Sequence, residues 1–131
     1  MFSHIMVGSN DIQKSKAFYN AILTVIGAEA PTERINDKGK ARVIYTHKGS
    51  IFSIAEPING EPVSSSNGST IGFVCDSPEK IQEFHDVAIA HGGTSVEDPP
   101  GLRENNYGST YLCYFRDPDG HKICGMHRPE S

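Results

Sequence analysis

The run SHIMVGSNDIQKSKAFYNAILTVIGA, residues 3–28, falls without a gap on STIGFVCDSPEKIQEFHDVAIAHGGT, residues 69–94. A shift of 66 positions lays Ser3 on Ser69, Ile5 on Ile71, Lys14 on Lys80, Phe18 on Phe84 and Gly27 on Gly93. Five identities in 26 positions are a thin signal. The order of elements strengthens it, because self-similarity at a fixed offset marks one supersecondary unit used twice. Each copy opens with a short apolar run, His4 to Val7 and Thr70 to Val74, then a polar break and a helical pattern. In the first copy Ala17, Phe18, Ala21, Ile22 and Val25 recur at helical spacing behind an N-cap at Asn10 or Asp11. In the second, Ser77 is the N-cap and Pro78 takes the first helical position, where no N–H is needed. Ile81, Phe84 and Ala88 form the apolar face of that helix. Gly27 and the Gly92-Gly93 pair close the two helices, since glycine takes the left-handed cap conformation at little cost.

Three strand signals follow each helix. In the first copy they are Ala28–Glu33, Ala41–His47 and Ile51–Ala55, and in the second Thr94–Glu97, Ser109–Arg116 and Lys122–His127. Asp117-Pro118-Asp119-Gly120 is a strong turn signal before the last of these. The final strands align Ile51–Pro57 on Ile123–Pro129 at an offset of 72, which sets Phe52 opposite Cys124. The expectation is an α+β chain of one domain, residues 1–131. It divides into a βαβββ module over 1–57, a Ser/Gly/Pro-rich linker over 58–68, and a second βαβββ module over 69–131.

Composition narrows the function. With 131 residues, 37% of them hydrophobic, the chain is long enough to bury a core. Twelve Lys and Arg against 16 Asp and Glu give a net charge of −4, and no basic run exists to hold nucleic acid. No apolar stretch reaches the roughly 18–20 residues of a membrane span, and the first residues do not read as a secretory leader. Three cysteines, Cys75, Cys113 and Cys124, are odd in number and lack CxxC spacing, which points to reduced thiols in a cytoplasm. The chain has no P-loop, dinucleotide glycine motif, GxSxG elbow or HExxH, so most nucleotide-dependent and hydrolase classes fall away.

Paired βαβββ modules, with Ser3-His4-Ile5 ahead of a helix bearing Phe18-Tyr19, the strand Ile71-Gly72-Phe73, and Phe115 to His121 before the last strand, resemble the vicinal oxygen chelate superfamily. Glyoxalase I, bleomycin-resistance proteins, fosfomycin-resistance enzymes and extradiol dioxygenases belong to it. The stretch from Glu56-Pro57 to Ser69, then Pro99 to Arg103 and Tyr111 to Lys122, looks like a glyoxalase-like branch. The resemblance implies an open, cavity-bearing half-barrel, a small-molecule ligand and a homodimer. In metal-dependent members it also implies a divalent ion such as Zn, Ni, Mn or Fe. That ion is held by one residue from the first and one from the last strand of each module.

Carried onto this chain, those four positions are His4, Thr70, Phe52 and Cys124, while a register shifted by one residue would bring in Ser53 in place of Phe52 and a shift of two would bring in Ile54. His4 fits as ligand or general base. Cys124 offers a thiol where a glutamate is common, Thr70 is a poor histidine replacement, and Phe52 supplies no donor. Glu56, four residues past Phe52, is the remaining carboxylate on that strand face. The metal donors are therefore His4, Glu56 and Cys124, an incomplete set, while Phe52 and Thr70 become pocket walls. Arg103 lies in a Pro/Gly-rich loop, Pro99–Gly108, expected to arch over the cavity mouth and clamp an anionic group. Tyr107 and Tyr111 follow as aromatic contacts with polar tips. Three functions stay open: a glyoxalase-like lyase or isomerase using a metal, a metal-free protein that binds or sequesters a small molecule, and a domain with a filled cavity that serves only for interaction.

Overall fold

The computed structural model describes residues 1–129. The first module runs β1 (Ile5–Gly8), α1 (Ile12–Val25), β2 (Thr32–Ile35), β3 (Ala41–His47) and β4 (Ser50–Ala55). The second runs β5 (Ile71–Val74), α2 (Pro78–Ala90), β6 (Thr94–Ser95), β7 (Gly101–Asn105), β8 (Gly108–Arg116) and β9 (Lys122–His127). The sheets have the same plan, β1-β4-β3-β2 and β5-β9-β8-β6, with β7 added to the far half of β8. In each the first strand lies parallel to the last, and the remaining pairings are antiparallel. The fold class is the expected α+β repeat, built among the described residues as two sheets with no closed barrel.

Local chemistry sets the helix starts. Asp11, not Asn10, caps α1 by accepting from the Lys14 N–H at 3.2 Å. Ser77 caps α2 in the same way through Lys80, also at 3.2 Å. Three expectations need correction. The first-copy strand expected over Ala28–Glu33 begins instead at Thr32, because Pro31 cannot donate to a ladder. Only Thr94 and Ser95 of the expected Thr94–Glu97 strand pair. The segment Pro99–Gly108 is no free loop, since Gly101–Asn105 pairs antiparallel with Gly108–Leu112. Asn105 shapes that hairpin's turn by accepting from the Tyr107 N–H at 2.7 Å.

The register between the last strands also changes. Ile5 pairs with Phe52, while its repeat partner Ile71 pairs with Ile123. The offset is therefore 71, and Ser53, not Phe52, is the counterpart of Cys124. A slip of one residue turns every side chain to the opposite face. Phe52 and Ile123 accordingly enter the core, and Ser53 and Cys124 face away from the helices.

The two modules share one core. Phe18, Tyr19 and Ile22 of α1 pack on Val43, Phe52 and Ile54, while Ile81, Phe84 and Ala88 of α2 pack on Cys113, Phe115 and Ile123. Phe115 joins the halves, with ring centroids 6.0 Å from Phe18 and 5.3 Å from Phe84. Fully burying each such side chain is worth roughly 1.5–3 kcal/mol. Gly125 allows a close approach in this core, for a Cβ there would lie 2.9 Å from both Cys113 Sγ and Phe84 Cδ2.

A buried polar joint accompanies the apolar one. Asp117, 4% exposed, accepts from the Tyr19 hydroxyl at 2.6 Å and from the His121 and Asp119 N–H groups, both at 2.9 Å. Asp119 accepts from the Asn10 N–H and the Ser15 hydroxyl. His121 Nε2 lies 2.7 Å from the Gly8 carbonyl oxygen, so this nitrogen carries the proton and donates. The turn before β9 is thus tied to the start of α1.

Candidate functional site

No Cα of β1 lies within 8 Å of β5, so the two repeat-equivalent strands stand apart with a groove between them. The groove has a volume of about 620 Å³. His4 and Thr70 lie on it one step before their strands, together with Phe52 and Phe73. Phe52 and Phe73 meet edge to face with centroids 5.2 Å apart, and Tyr45 packs 6.4 Å behind Phe52. Leu23 and Ile26, at the end of α1, complete an apolar wall.

One rim is basic. His47 and Ser50 pair across a two-residue turn whose members, Lys48 and Gly49, have φ of 47° and 81°. Both angles are positive, as the tight hairpin matching strand twist demands. Lys48, a residue that enters this region only at some cost, is thereby held at the groove. Asp76 stands on the rim formed beyond β5. The His4 Nδ1 is 2.7 Å from the Ser3 hydroxyl, and the residue is exposed. The combination is an aromatic and aliphatic trough with imidazoles and an ammonium at one side. Such a trough suits a small molecule with an apolar body.

The residues expected to act together are brought together only in part. His4, Phe52 and Thr70 share the groove. Glu56 lies past the end of β4, where its carboxylate accepts from the Ala41 N–H at 2.7 Å, and it lines a different hollow beside Arg42 and Pro57. Cys124 is 4% exposed on the far face of β9, opposite Tyr114. Burial raises its thiol above the ordinary range, although Tyr114 and Lys122 pull partly the other way. The Arg103 guanidinium donates to the carbonyl oxygens of Asp98 and Pro99 at 3.2 and 2.8 Å. Tyr107 sits fully exposed at the tip of the β7–β8 hairpin, and Tyr111 packs beside His127 with ring centroids 6.1 Å apart.

The donor chemistry does not fit a divalent centre. The four repeat-equivalent positions carry an imidazole, two hydroxyls and a buried thiol that resists ionisation: His4, Ser53, Thr70 and Cys124. No carboxylate is among them to offset the ion's charge. Among the described residues no three His, Cys, Asp or Glu side chains converge as a metal site would need.

Phe73, His47 and Lys48 also line the groove, and nothing in the sequence marks them as site residues. Lys48-Gly49 is legible as a turn, but its place at the groove depends on the gap between the modules, which no local pattern announces.

The sequence model of the Glyoxalase/Bleomycin resistance protein/Dioxygenase superfamily matches residues 1–124. The chain belongs to this superfamily. It is 48% identical to a glyoxalase/bleomycin resistance protein from Albidiferax ferrireducens T118, with a TM-score of 0.88 over 98% of this chain and 99% of that one. A glyoxalase-related enzyme from Fulvimarina pelagi is 20% identical, with a TM-score of 0.73 over 98% and 88% of the two chains. The genomically encoded fosfomycin resistance protein FosX of Listeria monocytogenes shares the fold at 22% identity and a TM-score of 0.68, over 100% and 93%. No curated protein matches the chain.

Proposed function

We propose that this chain is a glyoxalase-like cavity protein that binds a small molecule without a resident metal, in the manner ascribed to bleomycin-resistance proteins. The carrying observation is the groove between β1 and β5, which gathers His4, Thr70, Phe52 and Phe73. Its floor favours a flat apolar body, and Lys48 and His47 favour an anionic group at the near rim. Superfamily membership and the position of His4 support the second reading, a lyase or isomerase, which needs a metal to polarise the substrate's oxygens.

Two experiments separate them. Titration with 8-anilinonaphthalene-1-sulfonate, an aromatic sulfonate, is expected to saturate at one per chain in the native protein. Thr70→Trp should block it, and Lys48→Ala should weaken it about tenfold, or 1.4 kcal/mol, while a neutral aromatic is unaffected. Elemental analysis after dialysis against Zn²⁺, Ni²⁺, Mn²⁺ or Fe²⁺ is expected to find far less than one ion per chain. A stoichiometric ion lost in His4→Ala would overturn the metal-free reading in favour of the lyase or isomerase.

The chain also reads as a single domain acting as a homodimer in a cytoplasm. Among the described residues β1 and β5 are sheet edges with no strand on their outer side. Met6, Ile51 and Val74 around them are 41%, 38% and 77% exposed. A twofold axis would set β1 of each copy against β5 of the other, satisfying both edges and roofing the groove. Sedimentation equilibrium should give a dimer, and Val74→Lys a monomer. Three buried, unpaired thiols suit a reducing compartment, and no helix among the described residues is long and apolar enough to cross a membrane.

A further inference from the structure

On the outer side of the second module, away from the groove, three side chains form a chain of hydrogen bonds. The hydroxyl of Ser95, on the edge strand β6, lies 2.8 Å from Nε2 of His85 on α2. Nδ1 of His85 lies 3.2 Å from Oδ1 of Asp86. A carboxylate can only accept, so it fixes the proton on Nδ1 and leaves Nε2 with a lone pair turned to the Ser95 hydroxyl. This is the tautomer a general base requires.

The imidazole is held as well as protonated correctly. Its side chain is 12% exposed, and its ring stands edge-on to Phe115 with centroids 6.5 Å apart. Asp86 is fixed in turn by Gln82, whose Nε2 donates to the same Oδ1 at 3.0 Å. Ser95 itself is open to solvent. The next residue, Val96, donates its N–H to the Tyr114 carbonyl at 3.3 Å. By strand alternation the Ser95 N–H therefore points outward from the sheet edge, beside its own hydroxyl. One backbone donor is thus available where an oxyanion would form.

We propose that Ser95, His85 and Asp86 form a second, nucleophilic centre that accepts acyl groups from small carboxylic esters. The Ser95 oxygen bonds to the ester carbonyl carbon as its proton passes to His85 Nε2. The carbon–oxygen bond to the alcohol breaks, and that proton leaves on the departing alcohol. Water then attacks the acyl-serine through the same base, releasing the carboxylic acid and restoring Ser95. The step is redox-neutral and needs no co-reactant beyond water.

The test uses the full chain and p-nitrophenyl acetate, with an acid quench and peptide mass mapping. The expected result is one acetyl group on Ser95. p-Nitrophenol release should be about 100-fold faster than in Ser95→Ala or His85→Ala, the lower end of general-base contributions. Asp86→Asn, an exposed and nearly isosteric change, should keep the fold by circular dichroism and still lose most of that rate. Acetyl groups on lysines alone would overturn the proposal. So would equal labelling of Ser95 in His85→Ala, or a native rate in Asp86→Asn; His85 would then serve only to pin β6 to α2.

Discussion

Asp117→Ala is expected to lower the unfolding free energy by about 3 kcal/mol, read from urea denaturation, because it orphans several buried donors at once. The Tyr19 hydroxyl and the His121 and Asp119 N–H groups all converge on this carboxylate. Tyr19→Phe, which removes one of those donors instead of their acceptor, should cost only about 1 kcal/mol. A pH dependence accompanies the effect. Burial pushes the Asp117 carboxyl above its ordinary 3.8, and hydrogen bonds from Tyr19 and the turn backbone pull it only partly back. The folded chain therefore holds this proton more tightly than the unfolded chain does. Between the two values fewer protons are bound on unfolding, so this group's contribution to stability falls as pH rises through that window. The native-minus-Asp117→Asn difference in stability should decline as the pH rises from about 4, the ordinary Asp value. A difference that rises over the same range would mean that hydrogen bonding outweighs burial at this site.

Phe115→Ala should cost more, about 3–5 kcal/mol, the range for deleting a buried phenyl ring. Phe115 is fully buried and touches Phe18 of one helix, Phe84 of the other, and the His85 ring. Removing it opens a cavity where the modules meet, and two helices must move together to refill it. The double variant with Phe18→Ala should therefore lose less than the sum of the single changes, since the pair shares one contact. Strict additivity in a denaturation cycle would show that the two rings contribute no shared contact energy.

The repeat made the architecture readable, because helix faces such as Phe18/Ile22 and Phe84/Ala88 carry the 3.6-residue period and their caps are local signals. The Asp-Pro-Asp-Gly turn was equally plain, but its reach into the first module was not. Asp117 and His121 look like turn residues until α1 is placed against them. Register was harder. Ile51 and Ile123 match by type at an offset of 72, whereas pairing with β1 and β5 sets it at 71 and moves Phe52 into the core. Similarity along a strand cannot fix such a slip, because the decision belongs to a neighbour far away in sequence. The same limit applies to the site. His4, Phe52 and Thr70 do share the groove, yet Lys48 and Phe73 reach it only because β1 and β5 stand apart. Pro99, Pro100 and Gly101 give the stretch before Arg103 the composition of a loop, whereas its strand exists only through pairing with β8.

The tie between His121 and Gly8 spans almost the whole chain, and it has a consequence for how the molecule is made. A ribosome delivers β1 and α1 long before residues 117–121 emerge, so Tyr19 and the Gly8 carbonyl wait for partners encoded near the far end. The earlier half emerges with these buried polar groups unpartnered until the last hairpin arrives. Long-range closure of this kind slows folding relative to chains held by local contacts. A chain cut before Asp117 would keep every residue of the first module and still lack the piece that locks it.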